Sequence, residues 1–168
     1  MIRLFCLALL ASFLLTACSH TYYLVRHAEK AEAASGTTMS TRGNPPLSVE
    51  GEERAQALKD ALQSSKIDYI FSTNTTRTLS TAEPLRQLRG LTVEHYGPMP
   101  DAAFIEKLKG IKKNVLVVGH SNTIDDIVNG LTGEKTVPGD LPESEYNNLF
   151  VITYKGKKVK FERRTFGK

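Results

Sequence analysis

Arg26 and His27 stand directly after a short apolar run, in Tyr22-Tyr23-Leu24-Val25-Arg26-His27-Ala28-Glu29-Lys30. A second apolar run, Val115-Leu116-Val117-Val118, ends in Gly119-His120-Ser121. Both runs read as buried strands of an α/β sheet. In open α/β sheets ligands bind beyond the carboxyl ends of the strands. An arginine fork grips two phosphate oxygens at once, and neutral imidazole is a nucleophile. The chemistry these residue types would do together is phosphoryl transfer through a phosphohistidine. Arg77 joins them, in Phe71-Ser72-Thr73-Asn74-Thr75-Thr76-Arg77-Thr78. A helical stretch starts beside Arg77 and another beside His120, and helix N-termini bring free N–H groups and partial positive charge. Two arginines, two histidines and two helix N-termini make a site for a dianionic phosphoryl group.

Taken singly, each of these residues has a plainer reading. An arginine after a strand is usually on the surface, and a histidine at a strand end is usually satisfied by the backbone. It is the joint placement that argues for a site; His20 and His95 lack it and read as structural. Gly119-His120-Ser121-Asn122-Thr123 half matches the G-x-S-x-G elbow of serine hydrolases. Its last glycine is missing, and no histidine follows His120, so Ser121 is a poor nucleophile candidate. The four histidines lack zinc-ligand spacing, and there is no phosphate-binding or dinucleotide glycine loop.

The elements that must position these residues follow from periodicity. Strands are expected at 22–26, 67–71, 91–95 and 115–118, with a final hairpin of 150–154 and 159–164 around Lys155-Gly156-Lys157. Helices are expected over 49–63, capped by Ser48, from 74–76 onward, over 102–109, capped by Asp101, and over 122–131, ended by Gly133. Pro84 should kink or split the second. Residues 30–46 have no apolar period and read as a loop. Alternating strands and helices predict one three-layer α/β/α domain with a mostly parallel sheet.

Four blocks of this chain resemble the histidine phosphatase superfamily. Leu24 to Lys30 is similar to its RHG/RHA signature. Pro46-Leu47-Ser48-Val49-Glu50-Gly51-Glu52-Glu53-Arg54-Ala55 is similar to its PLT-x-x-G-x-x-RA segment. Ser72 to Thr81 resembles the segment of its second arginine, and Val118 to Ser121 that of its second histidine. The blocks occur in family order and cover nearly all of 22–154. The resemblance implies a phosphoglycerate mutase-like fold and a phosphatase or mutase that uses a covalent phosphohistidine, with no metal or organic cofactor. It implies His27 as nucleophile, and Arg26, Arg77 and His120 as the phosphate pocket. Arg54 falls outside the pocket core. Where the acid-phosphatase branch has an aspartate after the second histidine, this chain has Ser121, so the resemblance is to the mutase-like branch. That branch takes its acid from a glutamate after the second arginine. Asp101 is the tentative acid, or else simply a helix cap, with Glu94, Glu29 and Glu32 as the other candidates. Without an acid, alkyl phosphates would hydrolyse slowly and good leaving groups would be less affected. A phosphate-binding protein with weak catalysis is the alternative reading.

The first seventeen residues have the form of a secretory signal peptide: Arg3, an apolar Leu4–Leu15 and small residues. Leu15-Thr16-Ala17-Cys18 resembles a bacterial lipobox, which implies cleavage before Cys18 and a lipid on that cysteine. The other cysteine, Cys6, lies in the leader, so the mature chain could form no internal disulfide. The expected organisation is a signal peptide over 1–17, a lipid-anchored tether over 18–21 and the catalytic domain over 22–168. Ser19 after the cysteine fits outer-membrane retention facing the periplasm. Ser19, His20 and Thr21 span about 10 Å, so the start of the first strand should lie near the bilayer and the pocket at its other end should face away. The expected partners are a small-molecule or protein phospho-substrate and the membrane, reached through the lipid. The net charge of +4 is mild, and no aromatic stacking repeat points to nucleic acid. The basic residues of 155–164 read as a lysine-guarded edge strand. An extracytoplasmic site lacks the usual sugar-phosphate pools, which favours a phosphatase over a mutase. The 30–46 loop and the 133–148 segment are expected to wall the pocket and select the substrate.

Overall fold

The computed structural model describes residues 19–32 and 43–167 of the 168-residue chain. The expected leader, Cys18 and the middle of the 30–46 loop therefore lie outside the described residues. Among those described, six strands and four helices alternate. They are β1 (Ser19–Arg26), α1 (Val49–Leu62), β2 (Tyr69–Thr73), α2 (Thr76–Arg89), β3 (Val93–Tyr96), α3 (Ala102–Gly110), β4 (Val115–Gly119), α4 (Ser121–Thr132), β5 (Asn148–Lys155) and β6 (Lys158–Thr165).

The strands form one sheet in the order β3-β2-β4-β1-β5-β6. The β3–β2, β2–β4 and β4–β1 pairs are parallel, and β5 and β6 add an antiparallel margin. Alternation along the strands builds two cores. Tyr22, Leu24, Phe71, Val115, Val117, Phe150 and Ile152 face α3 and α4. Val25, Ile70, Leu116, Val118, Leu149 and Val151 face α1 and α2. Helices thus cover both faces, as expected for an α/β/α sandwich.

Several boundaries differ from those read in the sequence. β1 begins at Ser19, because Ser19, His20 and Thr21 pair with Lys155, Tyr154 and Thr153 of β5. Of the 18–21 stretch expected to form a tether, Ser19, His20 and Thr21 are therefore strand. β2 starts at Tyr69, not Ile67: the Asp68 carboxylate accepts from the Asn114 N–H, and the ladder with β4 opens after it. Ile67 stays buried at the mouth of the core. Pro84 does not split α2, which runs unbroken from Thr76 to Arg89. Thr78, Thr81, Ala82 and Leu85 bury one face of it on both sides of the proline.

The caps fall where expected. Ser48 accepts from the Gly51 N–H and Asp101 from the Phe104 N–H, while Gly133 closes α4 in the left-handed region at φ +76°. β6 is the sheet edge, and its Lys158, Lys160, Arg163 and Arg164 are exposed, which fits the guarded edge read from composition.

Candidate active site

Arg26 ends β1 directly across from Gly119, which ends β4. The next residue of each strand is a histidine, so parallel pairing alone sets His27 beside His120. The His27 N–H donates to the Gly119 carbonyl at 2.8 Å, and the two imidazole centroids are 5.4 Å apart. β2 lies on the far side of β4, and its extension into α2 brings Arg77 to the same place. The three strand ends open into a cleft of about 370 Å³ lined by Arg26, His27, Lys30, Arg77, His120 and Glu143, with Thr75, Ser121, Asn122, Pro98 and Met99 at its walls. All four residues read as the pocket are there.

Close packing makes this meeting of strand ends possible. A Cβ on Gly119 would come within 2.4 Å of the Tyr96 hydroxyl and 2.9 Å of Thr123 Oγ1. A Cβ on Gly51 would lie 2.1 Å from the Glu29 carbonyl. That same carbonyl accepts from the Ser48 N–H, so α1 is seated directly on the turn that follows His27. Arg54 secures the seat by gripping both oxygens of Glu29 through Nε at 2.8 Å.

The state of each histidine can be read from its partners. His27 Nδ1 is 2.7 Å from the Ala28 carbonyl. A carbonyl only accepts, so Nδ1 carries the proton and Nε2 keeps the lone pair. His120 Nε2 is 2.8 Å from Thr73 Oγ1. The Thr73 hydroxyl donates onward to Thr78, whose own hydroxyl donates to backbone carbonyls. His120 therefore donates through Nε2, and its Nδ1 faces Arg77 Nη2 at 3.3 Å. Both rings are neutral: burial, followed by the Arg77 and Arg26 charges, pushes His27 down to about 3 and His120 to about 4. For His27 the hydrogen bond to Ala28 opposes the shift and is outweighed.

The guanidinium groups are only partly satisfied. Arg26 is 2 % exposed, yet its Nε has no hydrogen-bond partner, and neither does the buried Nε of Arg77. The Nε of Arg89, outside the cleft, is in the same state, so it is the place of Arg26 and Arg77 in the cleft wall that makes their guanidinium groups available to an anion. The outer nitrogens of Arg26 are occupied by one segment. Nη1 donates to the Pro142 carbonyl at 2.9 Å, Nη2 to Glu143 Oε1 at 2.9 Å, and the guanidinium lies 4.2 Å from the Tyr146 ring centroid. The arrangement can take an anion between two guanidinium groups while a fixed imidazole nitrogen faces it. Among the described residues, no group of three or more histidine, cysteine, aspartate or glutamate side chains could hold a metal ion.

The candidate acids fare differently from the pocket. Asp101 spends its carboxylate capping α3, at 2.8 Å from the Phe104 N–H, and does not line the cleft. Glu29 is locked to Arg54, Glu94 pairs with Lys107 on the surface at 3.0 Å, and Glu32 is exposed outside the cleft. Of the residues read as structural, His20 stacks on Tyr154 at the opposite end of β1, and His95 is exposed on β3. Ser121 is the first residue of α4 and lines the cleft beside His120. Sequence reasoning missed Glu143, Tyr146 and Thr73 as parts of the site. For Thr73 the signal was there, inside the block that carries Arg77. Glu143 and Tyr146 sit in the segment expected to wall the pocket, with no spacing to single them out.

Comparison with known proteins agrees with this geometry. The family model described as histidine phosphatase superfamily (branch 1) matches residues 22–98. The lipopolysaccharide core heptose(II)-phosphate phosphatase of Salmonella newport is 30% identical over 137 residues, covering 77% of this chain and 63% of that protein. The probable phosphoglycerate mutase GpmB of Citrobacter koseri is 28% identical over 131 residues, covering 73% of this chain and 54% of its own. The chain thus spans less than two thirds of the length of these curated relatives. The protein histidine phosphatase SixA complexed with tungstate has the same fold, with a TM-score of 0.65 at 19% identity over 86% of this chain and 96% of that one. A phosphoglycerate mutase from Bacillus anthracis has a TM-score of 0.62 at 15% identity, over 89% and 94%.

Proposed function

We propose, for a chain that belongs to the histidine phosphatase superfamily, that it hydrolyses phosphomonoesters outside the cytoplasm through a phosphohistidine on His27. One observation carries the reading: a buried imidazole fixed through Nδ1 presents Nε2 to a cleft in which two arginines keep unpartnered Nε–H donors.

The phosphoryl group sits between Arg26 and Arg77, whose charges balance its equatorial oxygens. Nε2 of His27 attacks phosphorus in line, and the bond to the ester oxygen breaks. Stabilisation of the spreading charge is the main task in such transfers. His27 needs no base, because its lone pair is available down to acidic pH. Drawing Arg77 onto the phosphate frees His120 Nδ1 from its present contact. A dianion beside His120 favours its protonated form, so His120 becomes a further donor to the transferred group. Water then attacks the phosphohistidine, and Nε2 recovers its electron pair. No step in this scheme uses a metal.

The Salmonella relative's name points to a sugar phosphate of the cell envelope as the first substrate to try. The lipobox-like Leu15-Thr16-Ala17-Cys18 agrees with an envelope location through a lipid on Cys18. The test is hydrolysis of heptose and hexose phosphates by the chain from Ser19 onward and by His27→Ala. His27-dependent release of phosphate supports the reading. Tight phosphate binding without release would favour a phospho-ligand-binding lipoprotein.

A further inference from the structure

We propose that Glu143 is the proton donor to the leaving group, presented to the phosphoryl site by its hold on Arg26. The inference rests on the phosphatase reading above and completes it.

Hydrolysis of a sugar or other alkyl phosphate ejects an alkoxide unless an acid protonates the ester oxygen, and such an acid is worth about 10²–10⁴-fold in rate. Each acid read from the sequence is engaged elsewhere or outside the cleft. Among the described residues, Glu143 is the one carboxylate that lines it. Its Oε1 lies 2.9 Å from Arg26 Nη2, and its Oε2 lies 3.9 Å from Lys30 Nζ. The side chain itself is 71% exposed and the arginine only 2%. An exposed carboxylate at the mouth thus reaches in to a buried guanidinium that has to hold the phosphate. On one side of this site is the His27 nucleophile, and the solvent-facing side is where an in-line leaving group departs.

The carboxylate also occupies a donor that the phosphate needs. When a phosphoryl dianion takes Arg26 Nη2, the carboxylate is displaced toward the departing oxygen. The step then balances. Nε2 of His27 forms a bond to phosphorus, the phosphorus–oxygen bond breaks with its electron pair going to oxygen, and that oxygen takes the Glu143 proton. In the second half, water attacks phosphorus, its protons leave with the released phosphate, the phosphorus–nitrogen pair returns to Nε2, and Glu143 is reprotonated from solvent.

The experiment compares para-nitrophenyl phosphate, which needs little acid assistance, with beta-glycerol phosphate, which needs it. Glu143→Gln keeps the shape of an exposed side chain, so the fold is retained. We expect its kcat on beta-glycerol phosphate to fall about 100-fold, with its kcat on para-nitrophenyl phosphate within a few-fold of wild type. KM for both should drop, because a competing anion is gone. Equal loss on both substrates, or none on either, overturns the assignment, as does a selective loss in Asp101→Asn instead. Failure of the underlying phosphatase reading looks different: wild type would then match His27→Ala on both substrates.

Discussion

At His27 the chemistry comes down to which ring nitrogen holds a proton, and that is decided by one backbone carbonyl. Ala28 takes the Nδ1 proton at 2.7 Å, and burial holds the ring neutral to about 3. In the free protein neither His27 nor His120 should gain a proton between pH 7 and pH 5, where an ordinary histidine would. An NMR titration of the two rings checks this, and a midpoint near the ordinary value of 6.5 would contradict it. Stability carries the same signature. In the unfolded chain both rings titrate near the ordinary value, but in the folded one only near 3 and 4. The unfolded state therefore binds more protons in between, and stability falls as pH drops from about 6.5 toward 4. His27→Ala should flatten that slope, as read from denaturant unfolding at pH 7 and pH 5. Arg26, His27, Arg77 and His120 were legible in the sequence because each follows a strand-like run or opens a helix. The acid was not. Asp101 has the spacing of a catalytic residue and the geometry of a helix cap. Glu143 comes from a segment without period, and only folding brings it against Arg26.

At the scale of elements, the turn that follows His27 is held from below by α1. The Gly51 backbone touches the Glu29 carbonyl so closely that a Cβ there would lie at 2.1 Å. Gly51→Ala must push α1 off the turn or distort it. We expect a loss of about 1–3 kcal/mol in stability together with reduced kcat, seen by denaturant unfolding and turnover of one preparation. Unchanged activity would show that the seat of α1 does not position His27. The family-like block from Pro46 to Ala55 reports this contact, since its glycine and arginine meet the same Glu29. Strand edges were read less well. Ile67 and Leu91 looked like strand but pack beside it, because the hydrophobic core extends past the hydrogen-bonded ladder. Pro84 reads as a helix breaker, but the buried Thr81, Ala82 and Leu85 around it keep α2 whole.

At the scale of the whole molecule, the parallel core of the sheet gives it two unlike ends. The carboxyl ends of β1, β2 and β4 carry the cleft. The amino end of β1 pairs Ser19 with Lys155 of β5, and Lys155 in turn pairs with Lys158 of β6. If Cys18 carries lipid, Ser19 is held at the bilayer and the cleft points into the aqueous space. Aqueous probes should then label cysteines placed at Met99 and Glu143 in vesicle-bound protein, and protect those placed at Lys155 and Lys158. The reverse pattern would contradict this orientation. The sheet order was only partly legible. Alternating strands and helices gave the parallel core, but the register that carries β1 back to Ser19 depends on β5, more than a hundred residues away in the chain. The central claim is that His27 is a nucleophile in a phosphate pocket, and it is tested most directly by trapping the intermediate. Soluble protein from Ser19 onward, mixed without added metal with radiolabelled phosphoryl donor and quenched in alkali, should retain acid-labile, alkali-stable phosphate. His27→Ala should retain none and turn nothing over. Equal labelling of wild type and His27→Ala, or turnover that survives the substitution, would contradict the account.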